Sequence, residues 1–99
     1  MNDDGTIRIL YCPAHTRGEQ AVAIRLKNTG TIVLPAGVLP QRVNLDQEII
    51  TGTPRAGPER CLSSMRKLKR IIEREKASVI FHHDPEQWKN LRLAPAYFD

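Results

Sequence analysis

The side chains of this chain best suited to chemistry are three histidines and two cysteines. His15 lies in CPAHTRGEQ, and His82 and His83 are adjacent in FHHDPEQW, with Asp84 directly after them. Neutral imidazole is the commonest protein ligand for zinc, and a catalytic zinc takes three protein ligands plus a water. Two histidines without a third partner fall short of that count and are more often incidental. Cys12 and Cys61 match no zinc or redox spacing, and neither carries the signal of an activated nucleophile. Both read as reduced thiols.

The elements that must position these residues follow from hydrophobic periodicity. TIRILYC alternates, with Ile7, Ile9 and Tyr11 on one face and Arg8 and Leu10 on the other, as in a half-buried strand that ends at Pro13. QAVAIRL and TIVLP are rich in β-branched residues and flank KNTG, where Asn28 and Gly30 tolerate the positive φ of a tight hairpin. His15 therefore belongs to the loop between the first strand and the hairpin. From Pro35 to Gly57 the periodicity dissolves among Pro35, Gly37, Pro40, Gly52, Pro54 and Gly57, which predicts a long irregular loop.

Pro58 then opens a helix over PERCLSSMRKLKRIIEREKA, with Leu62, Met65, Leu68 and Ile72 as its apolar stripe. Arg66, Lys67, Lys69, Arg70 and Arg74 form its basic outer surface. SVIF reads as a short buried strand that delivers His82 and His83 at its end, where α/β proteins collect ligand groups. Asp84 and Pro85 suit the cap and first position of a short helix. Trp88 and Tyr97 read as packing for helix or tail rather than as ligand-stacking residues.

Composition bounds the function classes. A 99-residue chain buries about 60–68% of its unfolded surface, so the core is modest. Fifteen Lys and Arg against eleven Asp and Glu give a net charge of +4, spread along the chain. That footprint is weak for nucleic acid, which is not expected as a partner. MNDDGTIRIL lacks the basic and apolar regions of a signal peptide, and no apolar run approaches the ~20 residues of a membrane span. A soluble, cytoplasmic protein is expected.

Two segments carry a resemblance to a known family. CPAHTRGEQAVAIRLKNTGTIVLPAG resembles the part of the metallo-β-lactamase superfamily that reads P-G-H-T-P-G-H, a hairpin, then G-D. VIFHHDPEQWKNLRLAPAYF resembles the G-H-D-x-x-Q end of its N-acyl-homoserine lactonase branch. The two stand in the family's order with a helix between them, and the resemblance runs from about Ile7 to Phe98. It implies an α+β fold, the C-terminal half of an αββα sandwich: strand, hairpin, long loop, amphipathic helix and final strand. Residues 1–99 would form a single partial domain.

In that family two metal ions, zinc by resemblance, lower the pKa of a bridging water and polarise the lactone carbonyl that it attacks. The resemblance places His15 and His83 at metal-ligand positions, while His82 stands where glycine is usual. The departures are as specific. Gly37 falls where the family's bridging aspartate is expected, Glu19 replaces the loop's second histidine, and Arg17 replaces a proline. The H-x-H-x-D-H motif that supplies most ligands is absent.

The expected protein is a truncated or split lactonase-like hydrolase, inactive as this chain alone, with no catalytic residue assigned and zinc occupancy in doubt. One face of its sheet would lack a cover. A homodimer, docking on a separately encoded N-terminal half, and a poorly folded remnant are the open outcomes; a small lactone would bind only to a completed site. The alternative is a basic interaction module for an acidic partner or nucleic acid, built on RKLKR.

Overall fold

The computed structural model describes residues 6–50, 52, 54–81 and 84–88, apart from the side chains of Glu86 and Trp88. Its elements are β1 (Ile7–Tyr11), β2 (Gln20–Leu26), β3 (Gly30–Leu34), a 3-10 turn (Ala36–Val38), α1 (Arg42–Asp46), α2 (Pro58–Glu75), β4 (Ser78–Val79) and α3 (Pro85–Trp88). The predicted packing of Trp88, of Tyr97 and of the apolar tail lies outside the described residues.

The strands form one mixed sheet in the order β1-β2-β3-β4. β1–β2 and β2–β3 are antiparallel, with Ile9 opposite Val22 and Ile24 opposite Ile32. β4 joins β3 in parallel, Val33 opposite Val79. A parallel pair needs a long crossover, and here it contains α2. Gly30 takes φ +85 at the hairpin, a conformation that costs glycine little; Asn28 is not among the positive-φ residues.

α2 starts where Pro58 can occupy the first turn without losing a needed N–H, and it ends at Lys76 in the left-handed region (φ 50, ψ 44). Cys61, Ser64, Met65, Leu68 and Ile71 are its buried residues, with Leu62 and Ile72 packed at the margin of the core. The stripe is thus the expected one, rotated slightly toward Cys61 and Ser64. Met65 and Leu68 meet Ala21, Ala23, Val33, Val79 and Phe81 in one core cluster. Two small alanines on β2 leave room for the helix to approach the sheet.

Alternation on β1 resolves in an unexpected sense. Leu10 packs against the core and Arg8 reaches Glu75 at the end of α2, so the polar-looking face is the one that meets the helix. Ile9 and Tyr11 lie on the other face, 46% and 56% exposed. Arg8 is tolerated under the helix because its guanidinium forks onto the carboxylate of Glu75, at 2.8 and 2.6 Å, which Thr31 Oγ1 also approaches at 3.2 Å.

The segment after β3 is more ordered than its composition suggests. It folds into the 3-10 turn and then α1, whose start is a capping box of Gln41 and Asn44. Val38, Leu39 and Leu45 anchor it in the core. Proline and glycine mark irregularity, but three apolar side chains at suitable spacing are enough to recruit the backbone into turns.

Candidate functional site

His15 sits on the 12–19 loop, which is braced from several sides. The Cys12 N–H donates to the Glu19 carbonyl (3.0 Å), closing the base of the loop, and the Ala56 N–H donates to the Ala14 carbonyl (3.1 Å). Ser64 Oγ of α2 donates to the Pro13 carbonyl at 2.8 Å, which explains a buried serine on the apolar face of that helix. Tyr11 Oη donates to the Arg17 carbonyl at 2.9 Å. Ala14 is buried and His15 is exposed beside it. The loop therefore holds His15 in place from its backbone outward.

Glu19 contributes more than a replaced histidine would suggest. Its Oε1 accepts the His15 N–H at 2.9 Å, and its Oε2 accepts the Gly37 N–H at 2.5 Å. One carboxylate thus ties the histidine loop to the 3-10 turn after β3. Gly37 itself is not among the positive-φ residues, so the backbone does not demand glycine there. A Cβ at Gly37 would meet the carboxylate end of Glu19, with Oε1 at 3.0 Å and Cδ at 3.1 Å, so the carboxylate would have to shift off the Gly37 N–H.

The second corner is the end of β4. Phe81 is fully buried and Arg42 stacks its guanidinium over the ring, 5.2 Å from the centroid. Asp84 caps α3 as expected: its Oδ1 accepts the Gln87 N–H at 3.2 Å, and its Oδ2 accepts the Arg42 N–H at the start of α1 at 3.0 Å. His82 and His83 lie outside the described residues.

Gln87 was not singled out by sequence reading. Its Oε1 accepts the Phe81 N–H at 2.7 Å and its Nε2 donates to the Val79 carbonyl, so one amide side chain serves a donor and an acceptor of the strand just before the histidine pair. The signal was present in D-x-x-Q, but this spacing ordinarily means a glutamine that reaches back to its own helix cap. Here it reaches across to β4.

Among the described residues, no group of three His, Cys, Asp or Glu side chains is placed to hold a metal. The turn after β3, Pro35–Val38, carries no carboxylate, and the carboxylate that reaches it accepts two backbone N–H groups. Among the described residues, the donor set does not fit a two-metal centre. Cys12 and Cys61 are free and buried. Burial pushes both thiols up; a nearby Lys67 partly offsets this for Cys12, and Glu19 adds to it for Cys61. Neither is an activated nucleophile or a ready thiolate ligand.

No protein-family model matches the chain. An N-acyl homoserine lactonase of Bacillus thuringiensis is 34% identical over 93 residues, 92% of this chain and 36% of that protein. The N-acyl homoserine lactonase AttM of Azorhizobium caulinodans is 29% identical over 97% of this chain and again 36% of its own length. Among solved structures, an N-acyl homoserine lactone hydrolase with N-hexanoyl-L-homoserine at its catalytic metal centre superposes with a TM-score of 0.85. It is 30% identical over 99% of this chain and 38% of the other. AidC, a dizinc quorum-quenching lactonase, shares the fold at a TM-score of 0.64 and 19% identity.

The mixed sheet with its packed helix is thus a C-terminal part of the metallo-β-lactamase fold. Within that superfamily the relatives of this chain are N-acyl homoserine lactonases, and it spans little more than a third of their length.

Proposed function

We propose that this chain is part of a lactonase-like hydrolase, a single partial domain over residues 1–99 that does not turn over substrate by itself. The observation that carries this reading is the Glu19 carboxylate, bound to the Gly37 and His15 N–H groups beside a turn without a carboxylate of its own. Opening a lactone ring requires an activated water and a group that takes up charge on the carbonyl oxygen. One exposed histidine on a braced loop supplies neither alone.

The class of substrate for a completed site is a small lactone, by analogy with the relatives. Completion would come from a separately encoded N-terminal half or from a second copy of this chain, with His15 and His83 as the contribution to a zinc site and the cytoplasm as the setting. The purified chain is expected to show no hydrolysis of an N-acyl homoserine lactone with added zinc. A metal-dependent rate abolished by His15→Ala would overturn the reading.

The alternative, a basic interaction module, draws on the outer face of α2. That face is partly neutralised by Glu48, 3.5 Å from Arg66 and 4.0 Å from Lys69, and Lys67 Nζ is turned to the Tyr11 carbonyl at 2.9 Å. A salt-dependent mobility shift with DNA or RNA that survives His15→Ala would favour it over the hydrolase reading.

A further inference from the structure

We propose that Glu19 is a carboxylate latch that does, by hydrogen bonds, what a bound metal would do at this corner: it fastens the histidine loop to the turn after β3. Three observations converge. The two oxygens of one carboxylate accept from His15 N–H and Gly37 N–H, residues on separate segments. The space a side chain at Gly37 would use is filled by that carboxylate. The backbone at Gly37 is not in the left-handed region, so the Glu19 carboxylate accounts for the glycine.

Hydrogen bonds from backbone amides to a carboxylate are charge-assisted and stronger than neutral ones. One carboxylate serves both N–H donors and so holds the two segments together. A consequence is that a side chain at position 37 would push the Glu19 carboxylate off the Gly37 N–H. Restoring an aspartate at Gly37 alone would displace the latch rather than rebuild a ligand set. The latch rests on contacts within this chain; only its description as a substitute for metal rests on the hydrolase reading.

The sign of one substitution tests it. At an ordinary φ, replacing glycine by alanine stabilises by restricting the unfolded chain, unless the added methyl group clashes. Gly37→Ala in the full chain is expected to lower the melting temperature by about 5 °C. In the Glu19→Ala background the same change is expected to leave it unaltered or raise it. Equal losses in both backgrounds would overturn the latch. If Gly37→Ala prevents folding, rescue by Glu19→Ala supports the latch and failure to rescue counts against it.

Two further readouts do not need a cooperative melt. The Gly37 amide proton is expected downfield in the wild-type spectrum and to move upfield in Glu19→Ala; an unmoved signal would overturn the latch. Zinc retained after gel filtration, measured by mass spectrometry, is expected to be well below one per chain. Stoichiometric zinc lost on Glu19→Ala would show a ligand instead of a latch, whatever the outcome of the turnover assay.

Discussion

At the scale of single residues, three polar side chains hold the site together by serving backbone groups. Glu19 joins two segments, Asp84 caps α3 and receives the first N–H of α1, and Gln87 pairs with both strand groups ahead of the histidines. Glu75 differs in having a charged partner. The Arg8 guanidinium, bonded to it through its two terminal nitrogens, holds its carboxyl down at about 2, with Thr31 and Arg74 assisting against the opposing effect of burial. A carboxyl depressed in the folded state lends stability above its unfolded value of 4.5 and loses it as the pH falls through about 2. The pair is partly exposed, so its worth after solvent screening is on the order of 1 kcal/mol. Chemical denaturation between pH 5 and pH 2 should therefore show stability falling in the wild type and a shallower slope in Glu75→Gln. Equal slopes would show that other carboxyls govern the acid limb.

At the scale of elements, α2 organises the chain. Its buried stripe covers the sheet, Ser64 fixes the histidine loop, and its far end supplies Glu75 to β1. The helix stops at Lys76, whose φ of 50 is a conformation that favours glycine. Its N–H still donates to the Glu73 carbonyl at 3.4 Å, and Ala77 N–H donates to that of Ile72 at 2.9 Å, so the carbonyls at the helix end are served. Lys76→Gly removes the Cβ penalty without removing those bonds. It should raise stability by roughly 0.5–1 kcal/mol in urea unfolding, an increment expected from the left-handed cap; a decrease would mean that the lysine side chain contributes more than the strain costs.

At the scale of the whole molecule, the sheet has two unequal faces. The α2 side carries the core; the other carries Ile7, Ile9, Tyr11, Val22 and Ile24, of which Ile9 and Tyr11 are exposed. No helix among the described residues is long and apolar enough to cross a membrane. Exposed apolar sheet surface drives association. Size-exclusion chromatography with light scattering at micromolar concentration should give a mass above the 11.2 kDa of one chain, reduced toward it by Ile9→Lys. A compact monomer would remove the second-copy route to a completed site.

Sequence alone determined the parts whose signal is local. Alternating β-branched residues set the hairpin, Pro58 and a spacing of three and four set α2, Asp84 set the cap of α3, and two ordered motifs identified the relatives. What only the tertiary structure decided is which distant groups meet. Arg8 looked outward on β1 until Glu75, 67 positions away, turned that face to the helix. Glu19 looked like a lost histidine until Gly37, 18 positions on, received its carboxylate. Gln87 looked like part of a helix start until β4 lay beside it. Periodicity reports the face of an element, but a hydrogen-bond partner is chosen by packing, which has no period in the chain.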